Sequence, residues 1–333
     1  MCTRAVYKHT DGSVYTGRTM DWFLDMGSNL WAFPAGIERD GCAGPDSFRW
    51  TSKYGSVVTG VWDCVVPDGM NEAGLVANML YLAEAVYPDY VPGTSSPPLS
   101  LALWTQYMLD SFATVAEAVD MLRTEPFTLR GLMSPDGQPG TTHLSLSDVR
   151  GDSAIIEYIN GEQVIHHSPS YTVMSNSPTF DEQLALDAYW QSIGGDVMLP
   201  GTARAADRFV RASYYIGEMT AETQEDAVAG IFSVMRNVSM PYARQPDPSK
   251  PNVSPTLFRT VSDHSARRYF YEHTKKPNLF WVDLADLDLS AGQPVRRLEL
   301  TGGATYAGNT ADLFEAHAPM VYLPAGSGEE IPR

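Results

Sequence analysis

Cysteine is scarce. The 333-residue chain holds three, Cys2, Cys42 and Cys64. That is no disulfide framework, and an odd number leaves at least one thiol free. Basic residues are outnumbered, 23 Lys and Arg against 40 Asp and Glu, for a net charge of −17. No basic run exceeds two residues (Arg267-Arg268, Lys275-Lys276, Arg296-Arg297). The phosphate neutralisation that a nucleic-acid partner demands is therefore missing. No apolar run approaches the ~18 residues a membrane span needs. The first twenty residues carry Arg4, Lys8, Asp11 and Arg18, which is no signal-peptide core. Phosphate-loop, dinucleotide, G-x-S-x-G, C-x-x-C and H-E-x-x-H patterns are all absent. The expectation is a protein without metal or cofactor, with neither a nucleic acid nor a membrane as partner.

Hydrophobic residues make up 44% and charged residues 19% of the chain, enough apolar material for a packed core. Residues 2–9 and 13–20 flank Asp11-Gly12, and Asn160-Gly161 lies between two further strand patterns. Both dipeptides are hairpin signals. Other strands are expected over 56–65, 75–82, 143–146, 153–159, 163–166, 171–174, 256–262, 268–273 and 279–283. Helical patterns run over 99–109, 114–122, 180–191, 203–218 and 223–235. Ser111 or Thr114 can cap the second helix, and Thr220 or Thr223 the last. Hairpins outnumber strand-helix-strand crossovers, which favours antiparallel sheets with helices outside them. With no repeat and no linker, residues 1–333 read as one domain.

The histidines form no ligand-spaced cluster. His166 and His167 are adjacent on a strand and point to opposite faces, so they read as surface residues at a strand end. Cys64 reads as a small core hydrophobe and Cys42 as a loop residue. Cys2 is the sharp feature. Removal of Met1 would give it a free α-amine, with an ordinary pKa of ~7.7–8.0. One residue would then supply both thiol nucleophile and general base, with no histidine needed. If Asp11-Gly12 is a two-residue turn, Cys2 faces Asp21, which sets a carboxylate beside the amine. Arg18 lies three residues earlier, on the opposite face of an ideal strand, so a bulge or a strand end is needed to bring both to one site.

Met1-Cys2-Thr3 and Gly17-Arg18-Thr19-Met20-Asp21-Trp22 resemble the opening of the choloylglycine hydrolases, the penicillin V acylases and conjugated bile salt hydrolases among the N-terminal nucleophile hydrolases. Asp68-Gly69-Met70-Asn71-Glu72-Ala73-Gly74-Leu75, Ser175-Asn176-Ser177-Pro178-Thr179-Phe180 and Asp207-Arg208-Phe209-Val210 agree in the same order. The resemblance implies an α+β fold, a four-layer αββα sandwich of two antiparallel sheets between helix layers. It implies that Cys2 is nucleophile and base, that Asp21 holds the amine, and that Arg18 keeps the thiolate charged. It further implies that Asn176 and the Tyr81 backbone N–H bind the oxyanion and that Arg208 supports Cys2 and Asn176. Tyr81 falls where bile salt hydrolases typically carry Asn and penicillin V acylases often carry Tyr.

The reaction expected is amide hydrolysis through a thioester, on penicillin V-like substrates and as a second class on acyl-homoserine lactones. Met20, Trp22, Phe23 and Tyr81 are the candidate acyl pocket. Conjugated bile salt hydrolysis is the alternative. A non-catalytic small-molecule binder on the same fold, with Cys2 blocked, is the alternative of another class. A Cys–His pair at Cys42 or Cys64 has no matching histidine motif. The resemblance implies a bacterial source and a homotetramer. Against the tetramer, only 32 residues separate Asn176 from Arg208, too few for the segment that clasps neighbouring subunits in bile salt hydrolases. The shortening resembles the Gram-negative branch. The protein is expected in the periplasm if a leader precedes this sequence, and otherwise in the cytoplasm.

Overall fold

The computed structural model describes residues 2–242, 254–276 and 278–326. Two sheets lie face to face. The first has seven strands in the order Val173–Met174, Cys2–Lys8, Val14–Asp21, Thr256–Asp263, Arg268–His273, Leu279–Asp283 and Gly308–Asn309. All its pairs are antiparallel except the last. The second has nine antiparallel strands, with Thr142–Ser147, Val76–Tyr81 and Val65–Asn71 adjacent near its centre. Helices α1 (Trp104–Ser111) and α2 (Val115–Leu122) cover the outer face of the second sheet. Helices α3 (Phe180–Ile193), α4 (Ala205–Glu218) and α5 (Gln224–Asn237) cover the first. This is the expected αββα sandwich. No helix among the described residues is long and apolar enough to cross a membrane.

The local reasons are readable. Thr114 and Thr223 cap α2 and α5, their hydroxyls accepting from the Glu117 and Asp226 N–H groups. Helix α5 buries Ala227, Ile231, Phe232, Val234 and Met235, one helical stripe. It lies so close to the second strand that a Cβ on Gly17 would stand 2.6 Å from Ile231 and 2.9 Å from Met235. Helix α4 buries Ala205, Arg208, Phe209 and Ala212. A guanidinium in an otherwise apolar stripe needs buried partners, and the packing of α4 on the first strand supplies them.

Three expectations need correction. The first hairpin closes through three residues, not two. His9 N–H donates to Ser13 O at 2.8 Å, and Gly12 sits at φ +93°. Cys2 therefore pairs with Met20, not with Asp21. The stretch 56–65 is two strands, because Trp62 and Asp63 both adopt left-handed backbone (φ +51° and +49°) and turn the chain. Asp63 stabilises that turn by accepting from Asn29 Nδ2, Trp31 Nε1 and Arg297 Nη1. The stretch 99–109 starts as a short strand, Pro98–Ser100, and becomes α-helical only at Trp104.

Candidate active site

Cys2 opens the first strand, and its side chain is only 3% exposed. Alternation along the paired strands puts Cys2, Met20 and Arg18 on one face, between the sheets. Arg18 Nη2 lies 3.7 Å from Cys2 Sγ, 3.4 Å from Met20 Sδ and 3.2 Å from the Met79 carbonyl. Its other side meets Asp68, at 3.7 Å. Asp68 is itself fixed by Asn78 Nδ2, Thr260 Oγ1 and Tyr269 OH at 2.6–2.7 Å. Burial disfavours the Arg18 charge, but the Cys2 sulfur and Asp68 outweigh it and raise the pKa. Asp68 belongs to a motif the sequence singled out, yet nothing local to that motif announced it as the counter-ion of Arg18.

Asp21 is one residue further along and on the opposite face. The bulge foreseen for this region lies in the neighbouring strand, between Thr256 and Phe258, and Thr256 Oγ1 donates to Asp21 Oδ1 at 2.7 Å. By strand alternation Arg18 and Asp21 lie on the two faces of the strand. The Cys2 nitrogen donates to Asn176 Oδ1 at 2.7 Å. Met1, whose removal would free that nitrogen, lies outside the described residues.

Arg208 reaches up from α4. Its Nη1 donates to Cys2 O at 2.6 Å and to Thr3 Oγ1, and its Nη2 donates to Asn176 Oδ1 at 2.8 Å. Burial lowers its pKa, opposed by the charges of Asp21 and Cys2. With its oxygen so occupied, Asn176 presents Nδ2, one hydrogen of which goes to Tyr81 O at 2.6 Å. The N–H and C=O of one strand residue point to the same edge, and successive residues alternate. Leu82 N–H donates to Thr141 on one side, so Tyr81 N–H points to the other. There the pairing with Val65–Asn71 has stopped at Asn78.

A cleft of about 640 Å³ opens over Cys2 Sγ. Met20, Trp22 and Tyr81 line it as expected, with the two rings 6.2 Å apart. Phe23 does not line it but backs Trp22 at 5.3 Å. Val61, Trp62 and Val65 complete one wall, residues hidden in sequence because Trp-Asp is not a recognised hairpin turn. The loop over 132–140 forms the opposite rim, and Asp136 Oδ2 accepts from Trp22 Nε1 at 2.6 Å. Its only sequence signal was the Asp136-Gly137 turn pair. Among the described residues no three His, Cys, Asp or Glu converge as a metal site requires. Cys42 and Cys64 stand outside the cleft.

Residues 2–297 match the linear amide C–N hydrolases of the choloylglycine hydrolase family. The chain is 46% identical to the penicillin V acylase of Pectobacterium atrosepticum, over 96% of this chain and 92% of the relative. It superposes on the structure of penicillin V acylase from Agrobacterium tumefaciens with a TM-score of 0.90 at 52% identity, covering 97% of this chain and 100% of the other. The bile salt hydrolase/transferase of Bifidobacterium longum is 24% identical over 88% of this chain and 98% of its own. A conjugated bile acid hydrolase variant from Clostridium perfringens shares the fold at 19% identity, with a TM-score of 0.76 over 92% of this chain and 99% of that one. The chain belongs to the choloylglycine hydrolase family of linear amide C–N hydrolases.

Proposed function

We propose that this amide hydrolase cleaves the side-chain amide of penicillin V-like substrates, with Cys2 as nucleophile. Once Met1 is removed, the α-amine takes the thiol proton and the sulfur attacks the acyl carbonyl. The second Nδ2 hydrogen of Asn176 and the Tyr81 N–H receive the oxyanion; one such donor is typically worth ~10²–10³ in turnover. The ammonium returns the proton to the leaving nitrogen, which departs as amine. Water, activated by the same amine, then releases the acid and restores the thiol. Arg18 supplies positive charge at the sulfur, while Arg208 holds the frame of Cys2 and Asn176.

The observation that carries the substrate class is the aromatic pair at the mouth of the cleft. Trp22 and Tyr81, their rings 6.2 Å apart, line the same cleft as Cys2, and a flat phenoxyacetyl group stacks on such rings for ~0.5–1.5 kcal/mol beyond area burial. A steroid needs a wider trough. The much higher identity to a penicillin V acylase than to bile salt hydrolases supports the same reading. The test compares catalytic efficiency for penicillin V, glycocholate and an acyl-homoserine lactone at one pH. Penicillin V is expected to exceed glycocholate at least tenfold. A tenfold preference for glycocholate, ~1.4 kcal/mol in the wrong direction, would replace this reading with the bile salt one.

A further inference from the structure

The segment that carries Asn176 has lost its strand partner. Pairing of Val173–Met174 with the first strand ends at Met174 opposite Arg4, so the carbonyls of Ser175 and Asn176 leave the ladder. Side chains take over. His143 Nε2 meets Ser175 O at 2.7 Å, and Gln183 Nε2 donates to Asn176 O at 2.9 Å. We propose that His143 and Gln183 are positioning residues that aim the Asn176 amide at the oxyanion.

Neither residue lines the cleft. Both are about 2% exposed; His143 contacts the Glu157 carboxylate directly, and Gln183 is tied to it through the start of its helix. His143 Nδ1 lies 3.0 Å from Glu157 Oε1, across the strand pair Thr142–Ser147 and Ser153–Ile159. The Ser175 carbonyl can only accept, so His143 Nε2 is the donor to it. The same carboxylate accepts from Phe180 N at 3.1–3.2 Å. Phe180 begins α3, the helix that carries Gln183. Glu157 thereby sets the second sheet and α3 in register with each other, and the clamps on Ser175 O and Asn176 O share one anchor. His166, read from sequence as a surface strand-end residue, also lies 3.4 Å from this carboxylate. Burial pushes the Glu157 carboxyl up, but the hydrogen bond from His143, the nearby His166 imidazole and the Phe180 N–H hold it down to about 2. Catalytic donors need this kind of support, since a misplacement of ~1 Å can cost ~10²-fold.

The inference rests on the proposed role of Asn176, and the experiment keeps the two apart. His143→Phe keeps the ring shape and removes the N–H, whereas His143→Gln can still donate to Ser175 O. For folded His143→Phe, kcat on penicillin V is expected to fall ~10–100-fold with KM within about twofold. His143→Gln should recover most of the loss, and iodoacetamide alkylation of Cys2 should stay within about twofold of wild type. A merely structural pair would lower the melting temperature and spare kcat. Unchanged kcat in folded His143→Phe, equal loss in both variants, or alkylation falling in step with kcat would each overturn the inference. If His143→Phe does not fold, Gln183→Met removes the other clamp, and an undiminished kcat there overturns it equally. Cys2→Ala in the same assay separates the readings. A live Cys2→Ala overturns the reading of the site and this inference with it. A dead Cys2→Ala beside an undiminished His143→Phe overturns the inference alone.

Discussion

Two guanidiniums approach Cys2 and touch different atoms of it. Arg18 meets the sulfur at 3.7 Å, while Arg208 holds the Cys2 carbonyl and the Asn176 side chain. Their substitutions should therefore separate. A hydrogen bond from a charged donor is worth ~1.5–3 kcal/mol, so Arg18→Gln should slow alkylation of Cys2 at pH 7 by about tenfold or more. Arg208→Gln should leave alkylation within about twofold and lower kcat instead. Equal slowing in both variants would contradict this division. At the rim, Asp136 fixes the Trp22 indole. Asp136→Ala frees that ring and should raise KM for penicillin V by about tenfold or more, with kcat little changed, since a hydrogen bond to a charged acceptor is worth ~1.5–3 kcal/mol. A KM equal to wild type would show that the loop does not shape the acyl pocket.

The first hairpin decides which side chains share a face, and its loop decides the register. A three-residue loop with Gly12 at φ +93° pairs Cys2 with Met20. A one-residue slip would send Arg18 to the outer face, away from the sulfur. No atom lies within 4 Å of a Cβ built on Gly12, so Gly12→Ala tests backbone strain alone. It should cost ~1–2 kcal/mol of stability while catalytic efficiency per folded molecule stays at the wild-type value. An unchanged melting temperature would contradict the strain. This element also shows what sequence could and could not disclose. Asp11-Gly12 announced a hairpin, and Asn160-Gly161 announced a second that forms with Asn160 at φ +54° and Gly161 at φ +84°. Turn chemistry is local and legible. The count of loop residues depends on Ser13 N–H meeting Asp11 Oδ1, which no dipeptide rule specifies. The Trp62-Asp63 turn is bound from Asn29, Trp31 and Arg297, far away in sequence. Cys2, Arg18, Asn176 and Arg208 were legible from family motifs. Asp68, Asp136, His143 and Gln183 were not, because their partners come together only when two sheets and a helix layer close.

At the scale of the whole molecule, buried polar groups join the sheets and make stability depend on pH. His264 Nδ1 contacts Gly74 O at 2.7 Å, and Nε2 contacts Thr16 Oγ1 at 2.7 Å, which continues to Ser147 at 2.9 Å. Burial lowers its pKa to about 3, against the raising effect of the Gly74 hydrogen bond. The unfolded histidine takes up its proton near ~6.5. The stabilisation is therefore complete above that pH and is lost as pH falls from there towards 3. Glu157, held at about 2 against an ordinary 4.5, adds a loss of the same sign below 4.5. The melting temperature should hold near neutrality and decline below pH 6.5, each group contributing up to ~1.4 kcal/mol per pH unit within its window. His264→Gln should flatten the decline between pH 6.5 and 4.5, and an identical slope in that variant would remove His264 from the account. Under the proposed function this scaffolding serves one sulfur. The most direct measurement is penicillin V turnover by purified, folded Cys2→Ala protein beside wild type. A loss of at least ~10³-fold is predicted, and turnover within tenfold of wild type would contradict Cys2 as the nucleophile.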